Sequence, residues 1–119
     1  MPVLRDAAGR TPDRLGAELS RLKAAVKSRE ISPDELRGAS FTLTNFGTLA
    51  GRYATPVVVP PAVAILGSGS IREAVVPVRG QAVVHRILPL SLTFDHRCIT
   101  GGEAARFLQA VISDLTREE

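Results

Sequence analysis

The sequence predicts an α+β fold in one small domain, and three observations support this. Apolar residues recur at helical spacing after Thr11 and again after Gly101, which predicts two amphipathic helices. Residues 41–44 alternate between apolar and polar side chains, as a half-buried strand does. Residues 71–94 form the longest β-rich stretch, and Arg79–Gly80 within it suits a tight hairpin turn. We therefore expect a helix, several strands and a final helix.

The composition is that of a globular chain with an aliphatic core. Of the 119 residues, 45% are hydrophobic and only 4% are aromatic, with no Trp, so Val, Leu, Ile and Ala must build the core. Fifteen Lys and Arg against twelve Asp and Glu give a net charge of +3, and the basic residues are scattered. Nucleic-acid binding favours a concentrated basic stripe, so we expect no nucleic-acid partner.

Cysteine content and hydropathy predict where the protein resides. The one cysteine, Cys98, excludes an internal disulfide and fits a reducing compartment. The sequence has no apolar run of about 18 residues, and its first ten residues lack the apolar core of a signal peptide. We therefore expect a cytoplasmic protein with no membrane partner.

The first half of the chain carries clear helix-start signals. Thr11 is suited to the N-cap of the first helix and Pro12 to its first turn. Ser32 and Glu35 have the spacing of a capping box, which predicts a short turn of helix. Segment 3–10 is read as an edge strand.

The second half is predicted from its prolines and its alternation. Two prolines do not fit within a central strand, so a turn is expected at Pro60–Pro61 with a strand through 62–67. Hairpin strands are expected near 71–78 and from 82 to about 94. If the alternation of the second strand continues, His96 projects on the same side as Phe94.

His96 stands at a strand-to-helix junction, in the stretch FDHRCITGGEAARF (94–107). A lone histidine at such a place is more often structural than catalytic, and His85, in mid-strand, is given the structural interpretation. His96 precedes Gly101–Gly102, where the backbone can approach a ligand closely. Its neighbours Asp95 and Arg97 are expected to pair and fix the loop.

The stretch 94–107 resembles the His-x-x-x-Asp-Gly signature of the acyltransferase core component of 2-oxo acid dehydrogenase complexes. Further blocks resemble successive segments of the same family in the same order: PVLRDA, LSRLKAAVKSREISPDELRGASFTLTNFG, PVVVPPAVAILGSGSI and LPLSLTFDHR. The resemblance covers essentially the whole chain and corresponds to the C-terminal part of the family's catalytic domain. One position departs from the signature, because Thr100 stands where the family has Asp or Asn.

The resemblance implies a fold. It is an α/β (α+β) two-layer sandwich of the chloramphenicol acetyltransferase type, in which a mixed sheet carries helices on one side. The chain would supply only the C-terminal half of that domain. Residues 1–119 would form a single unit, with no lipoyl domain and no subunit-binding domain.

The resemblance also implies transfer of an acyl group between dihydrolipoamide and coenzyme A thiols. His96 matches the family's general base, which takes a proton from the attacking thiol. Thr44 matches a hydroxyl that stabilises the oxyanion of the tetrahedral intermediate, and in the family this hydroxyl comes from a neighbouring subunit. Thr100 matches a residue that orients the site, and its other interpretation is the N-cap of the last helix. Cys98 is assigned no role.

The expected cofactors and partners also follow from the resemblance. Coenzyme A would be a substrate, the lipoyl group would be carried on another domain, and no metal is expected. The chain would associate with itself as a trimer or larger assembly, with the dehydrogenase and dihydrolipoamide dehydrogenase components, and with a separate N-terminal half of the domain if one exists. Two alternatives stay open: a catalytically weak or inactive oligomerising scaffold, and a stand-alone small-molecule acetyltransferase.

Overall fold

A computed structural model of the chain describes residues 1–49 and 51–117. The chain divides into two compact units, Met1–Ala39 and Ser40–Glu119. Two α-helices, five strands and three short 3-10 helices are present in the described parts of these units. The predicted combination of helices with a strand-rich middle is therefore confirmed.

The first unit contains helix α1 (Pro12–Ser28), which begins as its sequence predicts. The Thr11 hydroxyl accepts a hydrogen bond from the Arg14 N–H at 3.5 Å, and Pro12 occupies the first turn. The helix ends at Arg29, whose left-handed backbone (φ 62°) directs its N–H toward the carbonyls of the last turn. Leu22, on the apolar face, is only 1% exposed.

Two other predictions for this unit have opposite outcomes. A short 3-10 helix (Pro33–Leu36) follows the predicted capping box, in which the Glu35 carboxylate accepts from both the N–H and the hydroxyl of Ser32. The edge strand expected at 3–10 is wrong. Ala7–Gly9 form a 3-10 turn instead, and a hydrogen bond from the Val3 N–H to the Glu35 carbonyl supplies one contact rather than a ladder.

The second unit contains a three-stranded mixed sheet built from β1 (Phe41–Asn45), β2 (Ala64–Ser68) and β5 (Leu90–Phe94). The strand order is β1-β2-β5, with β1 parallel to β2 and β2 antiparallel to β5. The predicted turn at Pro60–Pro61 precedes β2. A mixed sheet is the arrangement implied by the family resemblance.

A separate two-stranded antiparallel sheet lies between β2 and β5 in the chain. It pairs β3 (Arg72–Val78) with β4 (Gln81–Ile87). Arg79 and Gly80 join them, and both have positive φ (50° and 80°), as a type I′ hairpin turn requires.

The prediction of one long strand from 82 to about 94 is wrong. The strand breaks at Leu88–Pro89, so β4 pairs with β3 whereas β5 pairs with β2. Proline has no N–H to donate to a strand ladder, which is the physical reason for the break. The Pro89 carbonyl is still used, since it accepts a hydrogen bond from the Gly69 N–H at 2.9 Å.

The register of the mixed sheet decides which side chains share a face. Phe41, Ala64 and Phe94 are paired across the three strands, and so are Thr44, Gly67 and Ser91. Because the two rows are three residues apart, their side chains point to opposite faces.

Helix α2 (Gly101–Leu115) packs on the face that carries Phe41, and the Phe41 and Phe107 rings meet edge-on at 5.4 Å. The half-buried strand predicted at 41–44 is present as β1, but its apolar side is the more exposed one. Phe41 is 39% exposed and Leu43 is 71% exposed, whereas Thr42 and Thr44 are half-buried.

Candidate active site

The signature histidine lies in a tight loop between β5 and α2. His96 is exposed, and its ring centroid is 5.5 Å from that of Phe94, with the two rings tilted by 42°. This confirms that His96 projects on the side of Phe94. Its imidazole makes no hydrogen bond to another residue within the described ranges 1–49 and 51–117.

Asp95 and Arg97 fix the loop around this histidine, as expected from the sequence. The Asp95 carboxylate accepts from the Arg97 backbone N–H at 3.0 Å, from its Nε at 3.0 Å and from its Nη2 at 2.7 Å. Hydrogen bonding by the Arg97 side chain, followed by its backbone N–H, lowers the pKa of the Asp95 carboxyl to about 2. The two charges therefore neutralise each other, and the chain direction at His96 is held by this bidentate contact.

An open apolar cleft of about 390 Å³ lies next to the loop, between the sheet and α2. Its lining comes from three strands, the loop and the helix, which is why no single sequence motif indicates it. Apolar side chains dominate the lining, among them Phe41, Ala64, Leu92, Phe94, Ala104 and Phe107. Cys98, a free and exposed thiol, lies at this cleft, and no role is assigned to it.

Thr44, the predicted oxyanion donor, is half-buried on the opposite face of the sheet, in register with Gly67. Along the strand direction, Thr44 is three residues from the row that contains Phe94, a distance of about 10 Å. Across the sheet, Thr44 is two strands away from Phe94, which adds about 10 Å at right angles. His96 follows Phe94 in the direction that leads away from Thr44, so it is farther from Thr44 than Phe94 is. One chain therefore does not bring Thr44 and His96 together, and their shared role stays a prediction.

Thr100 is the N-cap of α2, as one of its two interpretations predicts. Its hydroxyl accepts from the Glu103 N–H at 3.3 Å and donates to the Glu103 carboxylate at 2.7 Å. Its backbone N–H donates to the same carboxylate at 2.8 Å. These bonds, the backbone one first, lower the pKa of Glu103. The Thr100 hydroxyl is thus engaged in a capping box, and its role in chemistry stays a prediction.

Within residues 1–49 and 51–117, His, Cys, Asp and Glu form no group of three or more that could hold a metal ion. None of the helices found there combines the length and apolar character needed to cross a membrane.

Comparison with known proteins identifies relatives along almost the whole chain. The family of 2-oxoacid dehydrogenases acyltransferase (catalytic domain) matches residues 1–118. A lipoamide acyltransferase component of the branched-chain alpha-keto acid dehydrogenase complex of Pseudomonas putida is 43% identical over 111 residues, which are 93% of this chain and 26% of that protein. The dihydrolipoyllysine-residue acetyltransferase component of the pyruvate dehydrogenase complex of Bacillus subtilis is 37% identical over 111 residues. The chain spans about a quarter of the length of these relatives.

Solved structures share the fold. One was determined to study a serine, a histidine and an asparagine in the catalytic mechanism of Azotobacter vinelandii dihydrolipoamide acetyltransferase. It has a TM-score of 0.85 and 35% identity, over 92% of this chain and 45% of that one. The cubic core of the pyruvate dehydrogenase multienzyme complex has a TM-score of 0.83 and 36% identity, over 91% of this chain and 44% of that one. With the family match over residues 1–118 and the shared mixed-sheet fold, the chain belongs to the family of 2-oxoacid dehydrogenase acyltransferase catalytic domains.

Proposed function

We propose that the chain is the C-terminal portion of an acyltransferase domain that transfers an acyl group between dihydrolipoamide and coenzyme A, in the core of a 2-oxo acid dehydrogenase complex. One observation carries this proposal. In the Azotobacter vinelandii enzyme, the histidine studied for its catalytic role lies 52 positions after the serine and four before the asparagine. The same spacings separate Thr44, His96 and Thr100 in this chain.

The proposed chemistry requires a base and an oxyanion donor. A free thiol has a pKa of about 8.5, so at neutral pH the His96 imidazole takes the proton as the sulfur attacks the thioester carbonyl. The Thr44 hydroxyl donates a hydrogen bond to the carbonyl oxygen as negative charge develops there. Collapse of the intermediate expels the other sulfur as a thiolate, which takes the proton back from the imidazolium. The imidazole of His96 supports this role, because it is exposed and makes no hydrogen bond to the part of the chain that the structure describes.

We further propose that each site forms between two copies of the chain. The separation of Thr44 from His96 within one chain supports this, because a hydroxyl on another copy would be needed to complete the site. Apolar side chains left exposed support association as well: Leu43 is 71% exposed, and the paired hairpin residues Val75 and Val84 are 67% and 61% exposed. A trimer or larger assembly is proposed, and the relative that forms a cubic core supports it.

The remaining partners are proposed from the same family membership. The lipoyl group would arrive on another domain. The dehydrogenase component would supply its acyl group, and the dihydrolipoamide dehydrogenase component would reoxidise it after transfer. Residues 1–119 would act as a single unit of the catalytic domain, in company with a segment equivalent to the other half of the relatives' domain. A cytoplasmic location is proposed on the support of Cys98, a free thiol.

The test combines assembly with activity. Sedimentation of the 119-residue chain at micromolar concentration is expected to show trimers or larger species. Acyl transfer from acetyl-, succinyl- and branched-chain acyl-coenzyme A to dihydrolipoamide is then measured, with the remaining part of the Pseudomonas putida catalytic domain added as a separate chain. The proposal is contradicted if the chain is a monomer and transfers no acyl group, both alone and with the added chain. Transfer only to a small amine or hydroxyl acceptor would instead favour the stand-alone acetyltransferase.

The scaffold alternative has a specific observation in its favour, which is the engagement of Thr100 by Glu103. A hydroxyl held in a capping box is less free to orient a neighbouring group than the longer amide of asparagine. This alternative predicts assembly without transfer. The two proposals are distinguished by replacing Thr100 with asparagine, which restores the amide that the family has at this position.

Thr100→Asn is expected to raise acyl transfer by about fivefold, the effect of one added hydrogen bond of about 1 kcal/mol. Asparagine is a good N-cap, so the start of α2 is expected to be kept, and the N–H group of its longer side chain is the donor that orients the site. Thr100→Asp has no such donor and brings a second carboxylate against Glu103, so it is expected to lower the thermal midpoint unless Glu103→Gln accompanies it. Activity and melting curves are measured for all variants. If Thr100→Asn folds, assembles and binds coenzyme A but transfer stays at background, the scaffold alternative is correct.

A further inference from the structure

The surroundings of Thr44 contain a feature that the sequence does not indicate. Gly67 is paired with Thr44 across β1 and β2. A methyl group on Gly67 would lie 2.6 Å from Cε1 of Phe46 and 3.5 Å from Cγ2 of Thr44. The Phe46 ring and the Thr44 methyl group therefore share the small space above Gly67, which only a glycine leaves open.

Phe46 is itself fixed from several sides. Its backbone N–H donates to the Ser68 carbonyl at 3.1 Å, which extends the pairing of β1 by one residue. The other edge of its ring lies over Gly51, where a methyl group would be 2.7 Å from Cδ2. The ring is therefore seated between Gly51 and Gly67.

The loop that carries Gly51 is tied to the end of β2 by Ser70. The Ser70 N–H donates to the Gly51 carbonyl at 2.8 Å, and the Ser70 hydroxyl donates to the Gly47 carbonyl at 2.7 Å. On the other side, the Asn45 side chain accepts from the Gly47 N–H at 2.9 Å. These bonds hold the loop against the sheet, so the position of the Phe46 ring is set by the fold.

The methyl group of Thr44 lies over Gly67, on the side where the Phe46 ring is seated. The methyl group and the hydroxyl of threonine share one carbon, so the torsion χ1 places both at once. A hydroxyl turned toward the Phe46 ring would lose its hydrogen bonds to water, whereas a methyl group is stable there. With the methyl group over Gly67, the hydroxyl points elsewhere, and it makes no hydrogen bond to any residue in the described ranges.

We infer that Phe46 is a positioning residue of the proposed active site: its ring, seated between Gly51 and Gly67, holds the Thr44 methyl group and thereby orients the Thr44 hydroxyl. This inference rests on the proposed function of Thr44 as oxyanion donor. It also gives the methyl group a purpose, since a serine at this position would have no group for the ring to hold.

The direct test measures the Thr44 side chain rather than activity. Three-bond couplings from the Thr44 methyl carbon to the backbone report χ1 by NMR in the full 119-residue chain. A single rotamer is expected in the parent chain and averaging among rotamers in Phe46→Ala. Phe46→Leu, which keeps apolar volume between the two glycines, is expected to retain most of the preference and serves if the alanine variant does not fold. Leu22→Ala removes the most buried side chain of the first unit and serves as the control for a general loss of stability. In this variant Thr44 is expected to keep a single rotamer.

The kinetic test uses the assembly competent for transfer. Phe46→Ala is expected to lower kcat by about 10 to 10²-fold, as misplacement of a reacting group does, with KM changed little. In the Thr44→Ser background the same change is expected to cost much less, because the methyl group is already absent. A single Thr44 rotamer in Phe46→Ala, or an equal kcat loss in both backgrounds, overturns the inference. If Thr44→Ala leaves transfer unchanged, the proposed function of Thr44 fails, whereas the rotamer measurement still decides whether Phe46 orients it.

Discussion

Replacing His96 with alanine is expected to lower acyl transfer by about 10² to 10⁴-fold, the range in which a positioned general base contributes. The attacking thiol is mostly protonated at neutral pH, and without the imidazole its proton has no acceptor at the site. The fold is expected to survive, because His96 is exposed and makes no hydrogen bond to the residues that the structure describes. The Asp95–Arg97 contact, which fixes the loop, does not involve the imidazole. The measurement is kcat for transfer between acyl-coenzyme A and dihydrolipoamide, with circular dichroism to check folding.

His85→Ala is the matched control, since it removes the same imidazole from an exposed position on β4. It is expected to change transfer little. Equal losses in the two variants would mean that histidine substitution disturbs the assembly rather than the chemistry. An unchanged rate in His96→Ala would return His96 to a structural role.

Replacing Thr44 with alanine is expected to lower kcat by about 10² to 10³-fold, the effect of removing one oxyanion donor. The affinity for acyl-coenzyme A is expected to change much less, because charge develops on the carbonyl oxygen only in the transition state. Thr44→Val, which keeps the methyl group over Gly67 and the side-chain shape, separates loss of the hydroxyl from loss of packing. A large loss of affinity at unchanged kcat would make Thr44 a binding residue instead.

The proposed division of the site between two chains permits a sharper experiment with the same variants. His96→Ala chains and Thr44→Ala chains, each inactive, are unfolded together and reassembled in equal amounts. If each site takes its histidine from one copy and its hydroxyl from the next, about a quarter of the sites regain both groups, and about a quarter of parental activity returns. Mixed assemblies that stay inactive would place both groups in one chain's site, against the separation of β1 from the signature loop.

Local signals in the sequence were sufficient wherever a structure depends on neighbouring residues. Thr11 and Pro12 begin α1, Ser32 and Glu35 form their capping box, and Arg79–Gly80 make the hairpin turn as predicted. Each of these depends on backbone preferences or hydrogen bonds within four residues. The prediction of an edge strand at 3–10 is wrong for a related reason. A strand requires a second strand to pair with, and the local sequence does not show whether one is present.

The sequence by itself determined the family, the caps, the hairpin and the side to which His96 projects. Only the tertiary structure decided that Pro89 divides one predicted strand between two sheets, that Thr44 and His96 lie on different faces, and that Glu103 engages Thr100. The space over Gly67 that Phe46 and Thr44 share is likewise absent from any local pattern. The physical reason is the range of the interactions. Caps and turns are fixed by hydrogen bonds between near neighbours, whereas sheet register and ring packing join residues that are distant in the chain and become neighbours only in the folded state.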